Sequence, residues 1–284
     1  MKILHVIPSI SSIHGGPSLA VFGMVKSLIK QGVSVEILTT NDDGNKIFNF
    51  PIKEKILYNE VPCIFCNCLP FLQKYALSND LAQWLWQNSQ NYDLLHIHCV
   101  FSYSSMIAMV IADYCHVPYI VTPHGMLCTW SLNQSYSLKN IYMKLIGYKQ
   151  INKARAIHFT TNQEKEEART LDIKPQSVII PLGVNILPTK IDASVHLHDL
   201  LKIPIHVPII LFLSRIHPKK GLDYLIPALA KIAPTFPFHF VVAGDGKEKD
   251  KWHINHLLDD YKLKEKTHLV GFVEGEMKNL LLQG

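Results

Sequence analysis

Short runs of apolar residues alternate with longer amphipathic stretches along the chain, the signature of a parallel sheet covered by helices. Ile3 to Ile7 is the first apolar run. A polar turn, Ser9 to Gly16, follows it, and Pro17 stands where a first helical turn tolerates a missing N–H. That helix runs to Gln31, with Gly32 as its stop. Val33 to Leu38 predicts a second strand, closed by Asn41-Asp42-Asp43-Gly44. Further on the pattern predicts a helix over 78–90, strand 94–98, helix 103–114, strand 119–122, a long helix over 136–154 and strand 156–160. A helix opened by the capping box Thr161-x-x-Glu164 and a strand at Val178 to Ile180 complete this half.

Between 185 and 208 the period is lost, with Pro188, Pro204 and Pro208, several histidines and room for one short helix. We read this as a linker. The alternation then resumes: strand 209–214, helix 221–233, strand 238–243, helix 248–260, strand 267–270 and a helix from near Glu274. The expectation is an α/β chain of two Rossmann-like domains, 1–184 and 209–284, with the second cut short after three strands. Three βα units leave a small core and an unpaired parallel edge.

Composition narrows the class. Of the 284 residues 48% are hydrophobic and 18% charged, which excludes a disordered chain. The longest apolar run, Met106 to Ala112, is far shorter than a membrane span, and Pro8 interrupts the N-terminal apolar stretch before any cleavage site. A cytoplasmic chain is expected. The net charge of +5 suits a phosphorylated small molecule or an anionic membrane and falls short of a nucleic-acid binder's basic face. Cys63, Cys66 and Cys68 form a C-x-x-C-x-C cluster without a second ligand group at zinc-finger spacing, so buried thiols are expected over a metal or redox role.

Five places could carry chemistry. Gly15-Gly16-Pro17 offers close backbone approach at a helix start, or simply a tight turn. Asp93-x-x-His96-x-His98 ends a strand with both imidazoles on one face; metal ligation is conceivable, but no third ligand is evident and a hydrogen-bonded strand-end histidine is the commoner arrangement. Thr122-Pro123-His124-Gly125 lies at another strand end, the edge where open α/β sheets bind ligands. Ser214 to Gly221 places Arg215, Lys219 and Lys220 between a strand and a helix, where cations oppose the helix dipole unless an anion resolves the conflict. Arg and Lys together suit a diphosphate; the alternative is a solvated basic turn. Gly244-Asp245-Gly246 and Gly271-Phe272 occupy the next two strand ends, as turns or as places of close ligand approach.

In this order the Gly-Gly loop, D-x-x-H-x-H, P-H-G, the S-R-x-x-P-K-K-G-x-D-x-L-I-x-A segment from Ser214 to Ala228, A-G-D-G and H-L-x-G-F resemble the retaining GT-B glycosyltransferases of family 4. His124 to Leu127 followed by Trp130-Ser131-Leu132 looks most like members from exopolysaccharide and capsule pathways. The resemblance implies a nucleotide-sugar donor held between the two domains and a glycan or lipid-linked acceptor. Arg215 and Lys220 match the cations that stabilise the departing diphosphate, and His124 matches the histidine near the transferred sugar. Gly16, with Gly15 beside it, matches the glycine that approaches the diphosphate. Gly244, Asp245, Gly246, Gly271 and Phe272 fall in segments lining the nucleotide pocket. No metal or other cofactor is implied, since the two cations take the metal's part.

Two departures accompany the resemblance. Pro181-Leu182-Gly183-Val184 stands where the family usually has Pro-Asn-Gly-Val, and the family's Glu-x7-Glu motif would lie beyond residue 284. The alternative expectation is therefore a non-catalytic fragment or split-gene half that binds acceptor or a complementary chain. Lys139, Lys144, Lys149, Lys153 and Arg155 intersperse with Ile141, Tyr142, Leu145, Ile146 and Tyr148 over one stretch, as in an interfacial basic helix at the inner face of the cytoplasmic membrane or in ordinary packing.

Overall fold

The computed structural model describes residues 1–44, 46–69, 75–184 and 189–284. The chain divides into two compact units, Met1–Asn185 and Ile186–Gly284. Residues 185–188 at the start of the expected linker, Pro188 among them, lie outside the described residues.

In the first unit the strands are β1 (Lys2–Val6), β2 (Ser34–Thr40), the short pair β3 (Asp42–Asp43) and β4 (Lys46–Ile47), β5 (Lys55–Tyr58), β6 (Val61–Cys66), β7 (Leu94–His98), β8 (Tyr119–Thr122), β9 (Ala156–Phe159) and β10 (Gln176–Ile179). Eight of them form one sheet in the order β10-β9-β8-β7-β1-β2-β6-β5. All neighbours are parallel except β5 and β6, an antiparallel hairpin that the periodicity did not reveal. The chain winds outward from β1 through β2 to β6, then returns to the other side of β1 with β7. That reversal makes the β1/β7 junction the topological switch point, beside which open α/β sheets bind ligands.

Local chemistry sets the helices. The first, α1 (Gly16–Lys30), starts at a Gly15 whose φ of 86° and ψ of −143° suit only glycine, with Pro17 in its first turn. Ser78 caps α2 (Asn79–Asn88) and Ser102 caps α3 (Tyr103–Tyr114), each accepting a first-turn N–H. The helix expected over 136–154 is one continuous run, α5 (Tyr136–Tyr142), a π-helical turn over Met143–Gly147 and α6 (Tyr148–Ile151), preceded by the short α4 (Thr129–Asn133). Thr161 caps α7 (Asn162–Ala168), but the box closes differently from expectation: the Glu164 carboxylate reaches past the cap residue to Thr160.

One face of the sheet, with Leu4, Val6, Leu95, Ile97, Val121 and Ile157, is buried in the larger core. Ile3, Ile7, Val35 and Ile37 on the other face pack with Val21 and Val25 of α1. Burial on both faces explains the near-continuous apolar runs of β1 and β7.

The second unit has the parallel sheet β11 (Ile209–Leu213), β12 (His239–Ala243) and β13 (Thr267–Gly271), with α8 (Ala193–Leu201), α9 (Leu222–Ile232), α10 (Glu248–Asp260) and α11 (Gly275–Gln283). Phe240 and Val242 pack on Ile226 and Leu258, while Val241 and Ala243 on the opposite face pack on Leu197 and Leu281. Helix α8 thus belongs to the second core, where a fully buried Leu197 contributes ~1.5–3 kcal/mol. Among the described residues no helix is long and apolar enough to cross a membrane.

Candidate functional site

In the first unit the C-terminal strand ends carry a polar row. His5 on β1 pairs in register with His96 on β7, and His98 pairs with Thr122 on β8. Strand alternation puts His5, His96 and His98 on one face, and all three are buried. His158 on β9 extends the row.

The ring nitrogens form two hydrogen-bonded branches. His5 Nδ1 lies 2.9 Å from His98 Nε2, and His98 Nδ1 lies 3.0 Å from His124 Nε2. In the other branch His96 Nε2 meets Thr122 Oγ1 at 2.7 Å, Thr122 Oγ1 meets His158 Nδ1 at 3.0 Å, and His158 Nε2 donates to the Ile180 carbonyl at 2.8 Å. Burial disfavours the charged imidazoles: it pushes His5 down to about 3 and His124 to about 4, the latter against the opposing pull of Glu164. Burial, reinforced by the neighbouring imidazoles, likewise holds His96 and His98 well below the ordinary range.

His124 sits in the turn after β8 with φ of 53°, followed by Gly125 at 73°; Cys99, just after β7, has φ of 69°. Two non-glycine residues in left-handed backbone at adjacent strand ends are strained positions of the kind that collect at functional sites. Glu164, itself buried, holds the turn. Its Oε1 accepts the Gly125 N–H at 2.5 Å, and its Oε2 accepts Thr160 N–H and Oγ1–H, both at 2.8 Å.

Sequence reasoning found His96, His98 and His124 but missed His5, His158 and Glu164. The histidines were readable only as polar residues interrupting apolar strands, and Glu164 only as part of a cap. Asp93 parts company with its motif: at the opposite end of β7, its Oδ2 accepts the Lys2 N–H at 2.6 Å. His5 supplies the third metal-type nitrogen missing from the sequence reading, with one nitrogen from each of His5, His96 and His98 within 4.8 Å of the others. The 2.9 Å separation of His5 and His98 is a hydrogen bond, however, and all three rings are buried, without the entry path an ion needs. Cys63, Cys66 and Cys68 are buried thiols, pushed up by burial to about 12, 12 and 11.

At Gly16 a Cβ would meet nothing within 4 Å, so the start of α1 is open to close approach. In the second unit the basic turn follows β11. Pro218–Lys220 form a separate 3-10 turn whose N–H at Lys219 is accepted by His217 Nδ1 at 3.2 Å, and Gly221, at φ of 73°, starts α9. The cations therefore precede the helix rather than occupy its first turn, where Asp223 suits the dipole. Arg215 and Lys220 are exposed, and among the described residues neither has an ion-pair partner. A recess of about 70 Å³ beside this turn is lined by Asp223 and Asp250, among others, which makes it the wrong side for an anion.

The glycines after β12 have an internal reason. A Cβ on Gly244 would stand 1.8 Å from the Ser214 carbonyl oxygen, and one on Gly246 2.3 Å from that of Ile216. Backbone bonds from Ser214 N–H to Ala243 O (3.0 Å) and Ile216 N–H to Asp245 O (2.9 Å) lock this loop against the basic turn. Asp245 is held below its ordinary range by the Gly246 N–H, which it accepts, and by Lys251. The Gly244 N–H donates to Gly271 O at 2.7 Å, joining the third strand end, where Phe272 is exposed. Arg215, Gly244, Asp245, Gly246 and Gly271 thus share one edge of the second sheet.

Two parallel α/β sheets, each with loops gathered at its C-terminal edge, give the fold of the GT-B glycosyltransferase structures. The chain belongs to the family 4, group 1 glycosyltransferases; the model of Glycosyltransferase Family 4 matches residues 14–186 and that of Glycosyl transferases group 1 residues 199–283. An uncharacterized glycosyltransferase of Methanocaldococcus jannaschii is 21% identical over 92% of this chain and 67% of its own length. A D-inositol 3-phosphate glycosyltransferase of Jonesia denitrificans is 24% identical over 78% of this chain, which spans 55% of that relative. The fold matches Anabaena HepE in complex with UDP and glucose (TM-score 0.72, 16% identity, 96% of this chain and 70% of that one). It also matches sucrose-phosphate synthase of Thermosynechococcus elongatus (TM-score 0.74, 16% identity, 100% and 73%).

Proposed function

We propose that this protein transfers a sugar, with retention of configuration, from a nucleotide-diphosphate donor to a glycan or lipid-linked acceptor in polysaccharide synthesis. The observation that carries the reading is the exposed Arg215 and Lys220 at the ligand edge of the second sheet, neither with an ion-pair partner among the described residues. Arg215 grips the diphosphate through its guanidinium fork and Lys220 adds a point charge, so charge developing on the leaving group meets fixed cations. Gly244, Asp245, Gly246, Gly271 and Phe272 form the neighbouring nucleotide wall, Gly15 and Gly16 offer backbone approach at α1, and His124 contacts the transferred sugar. In this reading the cations fill the role of a divalent metal, and no other cofactor enters the reaction. The structures of HepE with UDP and glucose support UDP-glucose as a first donor to try. Purified protein given radiolabelled UDP-glucose and a panel of glycan and lipid-linked acceptors should release UDP and label an acceptor. Intact donor under every condition, across a panel of nucleotide sugars, would refute the reading.

A second observation supports a peripheral contact with the inner face of the cytoplasmic membrane. On α5 and the π turn Leu138 is 64%, Ile141 55% and Leu145 71% exposed, at helical spacings that put them side by side, with Lys144 and Lys149 exposed nearby. The other basic residues of the segment divide: Lys153 pairs with Asp113 at 2.5 Å and Lys139 reaches the Ser131 carbonyl. An apolar stripe flanked by exposed lysines suits an anionic bilayer surface that presents a lipid-linked acceptor.

A further inference from the structure

The histidine branch that ends at His124 has a blind end. His5 Nε2 is buried without a hydrogen-bond partner, one of three such side-chain atoms among the described residues. From there the branch runs through His98 to His124, whose Nδ1 has no hydrogen-bond partner among the described residues. With all three rings singly protonated, only two arrangements satisfy both internal bonds. Either every donor points toward His124, which leaves a bare lone pair on His5 Nε2, or every donor points inward, which strands an N–H there. Orphaned buried N–H groups are rare in folded proteins, so the outward arrangement, which strands none, is favoured.

We propose that His98, backed by His5, is a positioning residue that fixes His124 in its Nδ1–H tautomer, so that His124 offers the sugar a hydrogen-bond donor and not a base. In this arrangement His124 Nε2 accepts from His98 Nδ1–H and its Nδ1 carries the presented proton, which leaves no lone pair to take a proton from an acceptor hydroxyl. Because the far end at His5 meets no donor or acceptor, no proton can be resupplied through the branch, and it orients rather than conducts. The low proton affinity of the buried rings keeps the arrangement intact at neutral pH. From the other side the Glu164 bond to Gly125 N–H fixes the backbone that carries the ring. The use of the donor N–H rests on the sugar-transfer reading above; the tautomer itself does not.

The test needs no substrate. The full chain is labelled with 15N-histidine, and long-range 1H–15N spectra are recorded at pH 7 with the signals assigned through single histidine replacements. The expected result is a protonated Nδ1 and unprotonated Nε2 at both His98 and His124. In His98→Leu the His124 signal should become a mixture of tautomers. In His98→Asn, whose side-chain amide can place an N–H where Nδ1–H stood, the wild-type signature should return. The His158 signal, on the separate branch, reports that the sheet is still folded; if His98→Leu does not fold, the wild-type spectrum alone decides. Nε2–H at His124 in the wild type, an unchanged His124 spectrum in His98→Leu, or zinc-induced shifts of His5, His96 and His98 together would each overturn the proposal. Loss of UDP binding elsewhere in the molecule would leave the tautomer result standing, so the two readings fail separately.

Discussion

Glu164 accepts the Gly125 N–H at 2.5 Å across 39 residues of sequence, tying the cap of α7 to the turn that carries His124. Removing that carboxylate strands three donors at once: Gly125 N–H, Thr160 N–H and Thr160 Oγ1–H. Glu164→Ala should therefore cost about 2–4 kcal/mol in urea unfolding, with Glu164→Gln losing less because its amide oxygen can keep part of the set. A change within about 0.5 kcal/mol for the alanine variant, the range of an ordinary surface substitution, would show that the turn is held by something else.

Acid should unfold the first unit steeply. His5, His96, His98 and His124 have folded-state affinities below the ordinary histidine value, so between that value and the folded ones the unfolded chain binds more protons. Stability then rises with pH across this window and falls as pH drops from about 6.5 toward 4, by up to ~1.4 kcal/mol per pH unit for each histidine. Urea midpoints measured from pH 7 to 4.5 check this; a flat profile down to pH 5 would contradict it.

The glycines should separate by environment. Gly244→Ala forces a Cβ to 1.8 Å from the Ser214 carbonyl oxygen and should unfold or severely destabilise the second unit. Gly16→Ala meets open space and should leave the melting temperature within about 2 °C of wild type while weakening use of the donor. The comparison requires only thermal melts and a UDP-glucose assay; equal melting temperatures for the two variants would refute the close-approach argument.

Leu138, Ile141 and Leu145 replaced together by Ser should abolish most binding to vesicles containing anionic phosphatidylglycerol, by about tenfold or more, while leaving the melting temperature unchanged, since all three side chains are exposed. Co-sedimentation measures it. Vesicle binding unaffected by the triple change would remove the case for this face.

Helices and strands with strong periods were legible from sequence: the expected 103–114 and 248–260 are α3 and α10, and the expected 94–98 and 119–122 are β7 and β8. The hairpin of β5 and β6 was not. Its two-residue turn places Asn59 at φ of 48° and Glu60 at 67°, a left-handed pair in which Glu stands where Gly would have announced it. The helix expected over 136–154 is present as a continuous run to Ile151, and the π turn at Met143–Gly147 inside it left no mark in the sequence because it preserves the apolar period while changing the hydrogen bonding. The site was half legible for a similar reason. His96, His98 and His124 stand at recognisable strand ends, but His5 joins them only through the β1/β7 register, and Glu164 only through a bond to a distant turn.

The central claim is that Arg215 and Lys220 hold a nucleotide diphosphate, and isothermal titration of UDP into the full chain and into Arg215→Ala, Lys220→Ala and the double variant tests it most directly. Loss of a charge-assisted contact at each position should weaken UDP binding by about tenfold or more per substitution, with melting temperatures unchanged because neither side chain is buried. UDP affinity in the double variant equal to that of the wild type would contradict the account.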